Sequence, residues 1–278
     1  MLFPFRRLLK ISRTRFWLYV FGPYLLGCVA VIGRQIDRVD WHLVIYALFF
    51  TFPANLLIYG VNDIFDYETD KDNPKKQGYE ALVQPSEHRP LSIAIALVGV
   101  PFLVLLWWVP FFARLAMCGF LFFSIFYSAK PIRAKAKPFV DALFNILYVF
   151  PGLFGFFLAG GTDVSWLFVL AGCLWCMAMH AYSAVPDITA DRANGIATIA
   201  TRLGARRTLL VCGGLYALAG ALSSFAGLGA LAIVFAGVYV FLIGMSLRTP
   251  VSELQSIYRY FPLINTSVGF LLFVAMLV

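Results

Sequence analysis

In the stretch LIYGVNDIFDYETDK, residues Asn62, Asp63, Asp66 and Asp70 have a spacing that chemistry can use. If the helix leading into this stretch runs on, Asp63, Asp66 and Asp70 stand at i, i+3 and i+7 on one face, and Asn62 joins them through its i+4 neighbour Asp66. Aligned carboxylates repel, so such a stripe is destabilising unless a positive charge answers it. A hard divalent cation does so: magnesium takes oxygen ligands, accepts one or two protein carboxylates and fills its remaining positions with water and phosphate. A solvated acidic loop is the plainer reading, because of the 14 acidic residues Asp63, Asp66, Glu68, Asp70, Asp72, Glu80 and Glu87 all fall in this one interval. A second acidic pair shifts the balance. In AVPDITADRANG, Asp187 and Asp191 are i, i+4 partners on a helical turn. Two carboxylate sets can hold two magnesium ions facing each other across one diphosphate, neutralising it as a leaving group while a carbon–oxygen bond breaks. The five aspartates are therefore expected to converge on one cavity.

Between the two sets, FYSAKPIRAKAKP brings a tyrosine and four cations together. Lys130 and Arg133 are three apart and suited to gripping phosphate oxygens, Arg133 in bidentate fashion, although headgroup-facing orientation charges would look the same. Lys135 and Lys137 read as orientation charges. Asp141 with Asn145, and Asn55 two turns before Asn62, are polar groups inside apolar runs, where cavity lining and interhelical hydrogen bonding are both open readings. His180 reads as a packed histidine before it reads as a base. Cys28, Cys118, Cys173, Cys176 and Cys212 all lie in apolar runs; Cys173 and Cys176 form a C-x-x-C, but no His or second pair completes a metal site, so the thiols read as packing groups.

The elements that must position these residues are membrane helices. Hydrophobic residues make up 61% of the 278 and charged ones 13%, which leaves the bilayer as the solvent for most of the chain. Continuous apolar runs that do not alternate predict an all-α polytopic protein rather than a barrel. About nine spans are expected, roughly 16–33, 42–61, 91–109, 115–129, 139–160, 166–186, 208–225, 228–247 and 258–278, or eight if the short fourth is not one, in a single domain over 1–278. The basic start MLFPFRRLLKISRTRFW is too broken for a cleaved signal and reads as an interfacial lead-in. All of the 22 Lys and Arg except Arg34, Arg38 and Arg114 then lie on one side, which the positive-inside rule makes cytoplasmic, together with the N-terminus and both acidic sets. The net charge of +8 describes a membrane rim and not a nucleic-acid surface. A multi-pass cell-membrane protein with polar groups in its spans also suits a transporter, but transporters usually hold ionisable groups near the bilayer midplane, whereas these carboxylates gather at one face.

The string Asn62-Asp63-x-x-Asp66-x-x-x-Asp70, followed four spans later by Asp187-x-x-x-Asp191, with Tyr127, Lys130 and Arg133 between them, resembles the UbiA-type superfamily of intramembrane prenyltransferases. The resemblance covers essentially the whole chain. It implies a helical bundle around a central cavity capped by cytoplasmic loops, a magnesium cofactor, an isoprenyl diphosphate donor and a lipophilic acceptor. By the same resemblance Asp63, Asp66, Asp70, Asp187 and Asp191 are metal ligands, Asp66, Asp70 and Asp191 carry the catalysis, and Asn62, Arg89, Tyr127, Lys130, Arg133 and Tyr182 bind substrate. Two features depart from relatives that act on aromatic acids: a long interval from Asp70 to Arg89, and Pro186 where several carry a lysine before Asp187. The run Asp72-Asn73-Pro74-Lys75-Lys76 looks more like the lycopene elongase branch, which implies a carotenoid acceptor such as lycopene; an aromatic quinone precursor of the 4-hydroxybenzoate type or a lipid glycerol is the alternative. A dry cavity suits an allylic cation, and the aromatic side chains nearest the motifs, Tyr59, Tyr67, Tyr127 and Tyr182, can face it.

Overall fold

The computed structural model describes residues 3–71 and 80–277, and every regular element among them is helical. In chain order the α-helices are α1 Phe5–Ile11, α2 Leu18–Ile32, α3 Trp41–Phe49, α4 Phe52–Phe65, α5 Tyr67–Asp70, α6 His88–Val104, α7 Phe111–Ser128, α8 Val140–Leu143 and α9 Phe150–Leu158. They continue with α10 Trp166–Ser183, α11 Ile188–Ala193, α12 Ile199–Leu203, α13 Ala205–Ser223, α14 Gly229–Ser246, α15 Leu254–Tyr258 and α16 Phe261–Leu277. The run Asp72–Lys76, which carries the resemblance to one branch, lies outside the described residues.

Eight helical stretches among the described residues are long and apolar enough to cross a membrane, and the expected nine spans are recovered within them. The stretch Ala205–Ser246 has 42 residues and reverses direction at Gly227 and Gly229, whose φ values of 114° and 54° are open to glycine at little steric cost. Gly220 sits against Ala236, and Gly213 against Ile243, so α13 and α14 form an antiparallel hairpin of two spans. The expected fifth span is composite. After α8 the chain tightens into a 3₁₀ turn at Phe144–Tyr148 before α9, because Pro151 has no N–H to give Leu147 and its ring crowds that carbonyl. Phe225, Trp107, Trp166 and Phe241 stand exposed on these helices, as side chains dissolved in lipid do.

The chain forms two compact units. The first comprises Met1–Ile132, Phe150–Thr162 and Gly269–Val278; the second comprises Arg133–Val149 and Asp163–Val268. In the first, α2 and α9 touch backbone to backbone: a Cβ on Gly27 would overlap the carbonyl of Gly152, and one on Gly155 the carbonyl of Tyr24. In lipid, where apolar surface gains nothing from meeting apolar surface, such close approach is what lets dispersion hold helices together. Around it Tyr24, Tyr46, Phe49, Phe50, Phe120 and Phe154 interlock, with Tyr46 and Phe154 4.6 Å apart between ring centroids. The basic N-terminal segment, expected from sequence as an interfacial lead-in to the first span, also packs against the bundle. Leu8 and Ile11, one turn apart on α1, are buried with Leu56, Ala81, Val83 and Leu91, which fastens α1 to α4, to α6 and to the strand of chain between α5 and α6. In the second unit the core is built on α10, α13 and α14, where Tyr182, Tyr216, Tyr239 and Phe261 are fully buried.

Candidate active site

The first acidic set lies where α4 stops. The sequence spacing calls for one continuous helix through Asp70, and here the structure corrects it: Asp66 has φ −110° and ψ 5°, which ends α4 at Phe65. A new turn, α5, starts from the same residue, with the N–H groups of Thr69 and Asp70 both donating to the Asp66 carbonyl at 2.9 Å. Asp63 and Asp70 are thus not held on one rigid helical face. The break parts Asp63, which is paired with Arg13, from Asp66 and Asp70, which keep a helical turn of their own. Asp63 and Asp66 are both 2% exposed, and Asp70 is half-buried. Asn62 donates from Nδ2 to Ser128 Oγ on α7 at 3.0 Å, so its amide orientation is fixed by the neighbouring helix.

The positive charge that the sequence analysis sought for this set is in part a side chain. Arg13 donates to Asp63 Oδ1 at 3.1 Å, lies 3.0 Å from Glu80, and covers the face of Tyr59 at 4.6 Å; Arg15 holds Glu80 at 3.0 Å as well. Burial works against the Arg13 charge, but Asp63 and Glu80 outweigh it and hold the guanidinium pKa above its ordinary value. Arg13 adopts a left-handed backbone, φ 50°, in a residue with a Cβ, a strain tolerated only where surroundings fix it. From sequence alone Arg13 reads as one of the orientation charges. The signal that could have found it was Glu80, a lone acid in the apolar run Tyr79-Glu80-Ala81-Leu82-Val83, which needed a buried partner.

Other expected site residues of this unit are more open. Tyr127 is half-buried one residue before Ser128; Lys130 is exposed, and so is Arg89 in the first turn of α6. Tyr67 meets His88 edge to face at 6.3 Å.

In the second unit α10 ends at Ser183, and the chain turns through Pro186 to Asp187, the N-cap of α11. The Asp191 N–H donates to the Asp187 carbonyl at 2.8 Å, so the pair does stand one above the other on a helical turn, as its spacing predicts. Both are half-buried. Burial, then the carboxylate of Asp187, pushes the Asp191 pKa up to about 6, against opposing pulls from Lys135 and His180 and with a further push from Asp141. Arg133 stands in the left-handed region at φ 44°, and its Nε is buried without a hydrogen-bond partner, a donor suited to an anion. Tyr182 is packed away: fully buried, stacked on Phe261 at 4.5 Å, with its hydroxyl 2.7 Å from Ser246 Oγ. Asp141 is fully buried, and its Oδ2 accepts from the Ile199 N–H at 2.9 Å and lies 3.5 Å from His180 Nε2; Asn145 donates to the Asp141 carbonyl. The cysteines are free thiols, with Cys28, Cys176 and Cys212 buried.

Among the described residues no three His, Cys, Asp or Glu side chains come together as a complete metal cage. The donors still fit magnesium, which uses one or two carboxylates and takes its other oxygens from water and from phosphate. A raised Asp191 pKa has a signed consequence. Below pH 6 the carboxyl is protonated and a cation must displace the proton, so Mn2+ affinity, read from binding isotherms between pH 5 and 8, should be flat above pH 7 and fall by up to about tenfold per unit below 6. Stability of the metal-free protein should move the other way. The folded chain binds the proton more tightly than the unfolded one, so this group's contribution becomes less favourable as pH rises from 3.8 through about 6.

Comparison with known proteins agrees with this arrangement of helices. Residues 20–256 match the profile of the UbiA prenyltransferase family. The chain is 36% identical over 267 residues to a lycopene elongase/hydratase of Haloferax volcanii, covering 94% of this chain and 85% of that protein. It is 35% identical over 226 residues to a lycopene elongase/hydratase of Corynebacterium glutamicum, covering 78% and 76%. A solved structure of a UbiA homolog from Archaeoglobus fulgidus, bound to GPP and Mg2+, superposes with a TM-score of 0.74 at 20% identity over 96% of this chain and 99% of that one, a likeness of fold. With its membrane helices, its two aspartate sets and a profile match spanning most of its length, the chain belongs to the UbiA prenyltransferase family.

Proposed function

We propose that the protein transfers an isoprenyl group from an allylic diphosphate such as dimethylallyl diphosphate to a carotenoid, lycopene first among candidates, in a magnesium-dependent reaction that requires both aspartate sets. The observation that carries the acceptor is the similarity to lycopene elongase/hydratases over 94% of the chain. The one carrying the donor is the chemistry of the acidic ends of α4 and α11. Asp66, Asp70, Asp187 and Asp191 supply hard oxygens, with Asp63 shared with Arg13. Bound magnesium would neutralise the diphosphate as it leaves. Asn62, with its amide set by Ser128, orients the substrate end of the first set, and Arg133 offers its unpaired Nε to a phosphate oxygen. Arg89, Tyr127 and Lys130 lie between the two motifs in sequence and complete the substrate contacts; Tyr182 supports the second set from the core. The family profile runs through both units, which supports a single domain. The charge asymmetry of the loops supports a cytoplasmic N-terminus and cytoplasmic aspartates.

Arg13, the half-buried cation paired with the first set, is held by both Asp63 and Glu80, which favours an apolar acceptor over an aromatic carboxylate. The test is expression in a lycopene-making host with pigments resolved by mass. Products heavier than lycopene by one or two prenyl units are expected, and purified protein should lose this activity in excess chelator and regain it with Mg2+. Unchanged lycopene, alongside prenylation of an aromatic acid, would refute the acceptor while leaving the transferase standing; full turnover in chelator would remove the metal.

A further inference from the structure

Resting on the metal–diphosphate reading above, we propose that Asp141 is a positioning residue for the second aspartate set: its carboxylate pins the start of α12 and so fixes the return path of the chain that carries Asp187 and Asp191. A carboxylate at zero exposure in a span is costly, and one oxygen, Oδ1, is left without a hydrogen-bond partner. Such a group is explained by what its other oxygen does. Oδ2 takes the N–H of Ile199, a donor that the first turn of α12 cannot satisfy internally, and it faces His180 Nε2 from α10 at 3.5 Å. Three segments meet there: α8 through Asp141, α10 through His180, and α12 through Ile199.

The chain between Asp191 and Ile199 is short and tied at both ends. The Ile196 N–H donates to the Asp191 carbonyl at 2.8 Å, and Arg192 reaches the Thr201 carbonyl at 3.1 Å. At the far end Thr198 caps α12, its Oγ1 accepting from the Thr201 N–H. With Ile199 anchored on Asp141, α11 has little freedom to slide along α10. A metal ligand set needs that restraint, since carboxylates displaced by a fraction of an ångström lose affinity. Asp141 does this without touching substrate, and the position of its acceptor oxygen matters more than its charge.

Two substitutions separate position from charge. Asp141→Asn keeps an oxygen where Ile199 needs it and removes the charge; Asp141→Glu keeps the charge and moves the carboxylate by one methylene. Binding of Mg2+ with inorganic diphosphate to purified full-length protein is measured by calorimetry, alongside the unfolding midpoint. We expect Asp141→Glu to weaken binding about 10- to 100-fold and Asp141→Asn to stay within roughly threefold of the unsubstituted protein. Equal affinity in all three proteins, or a loss in Asp141→Asn matching that in Asp141→Glu, overturns the assignment. Amide exchange over residues 187–199 supplies a readout that needs no ligand: faster exchange in Asp141→Glu than in Asp141→Asn supports it, and equal rates refute it. If the unsubstituted protein fails to bind metal and diphosphate, the functional reading falls, and the exchange measurement still decides what Asp141 holds.

Discussion

Asp66→Asn should lower prenyl transfer by roughly a thousandfold while leaving the fold in place. The substitution is isosteric, and the backbone work of residue 66, accepting from Thr69 and Asp70 at the break between α4 and α5, does not depend on its side-chain charge. What is lost is a carboxylate at 2% exposure, where little water competes with a bound cation. Release of labelled diphosphate and label transfer to acceptor measure the first half of the expectation, and an unfolding midpoint within a few degrees of the unsubstituted protein measures the second. Turnover within tenfold of normal would show that Asp66 is not part of the metal set.

The largest effect on stability should come from Arg13→Ala. Asp63 is 2% and Glu80 12% exposed on their side chains, and the substitution removes the guanidinium that both carboxylates hold, while Arg15 keeps its contact with Glu80. Breaking a buried ion pair from one side costs about 3–5 kcal/mol, because the uncompensated charge remains. The triple change Arg13→Met, Asp63→Asn, Glu80→Gln removes all three charges together and should recover most of that loss, which chemical denaturation in detergent or lipid nanodiscs can read. A single Arg13→Ala protein as stable as the starting one would mean that the ion pairs contribute nothing net.

The membrane class, the number of spans and the spacing of Asp187 and Asp191 were legible because they rest on local rules: apolar length, loop charge and the i, i+4 turn. The break at Asp66 was not, since three acids at helical spacing look the same whether the helix continues or breaks. Arg13 was missed for a different reason. Its partners lie 50 and more residues away, and a cation at the head of a span already had a sufficient explanation as an orientation charge. Tyr182, five residues from Asp187 in sequence, turns inward to Ser246 and Phe261 because α10 has a buried face there, a packing that sequence proximity does not reveal.

The Arg13–Asp63 pair also bears on how the chain is assembled. The two residues are 50 positions apart with a whole membrane span between them, so at about 5–20 residues per second Arg13 waits roughly 3–10 s for its partner to be synthesised. During that interval the arginine is an uncompensated cation at the head of the first span, where it helps to retain that end on its side of the bilayer. Once α4 is inserted, the same guanidinium becomes a counter-ion to Asp63. Its removal should therefore register twice, as a greater share of chains with an inverted first span and as a weaker fold among those inserted correctly, and protease protection of an N-terminal tag separates the two.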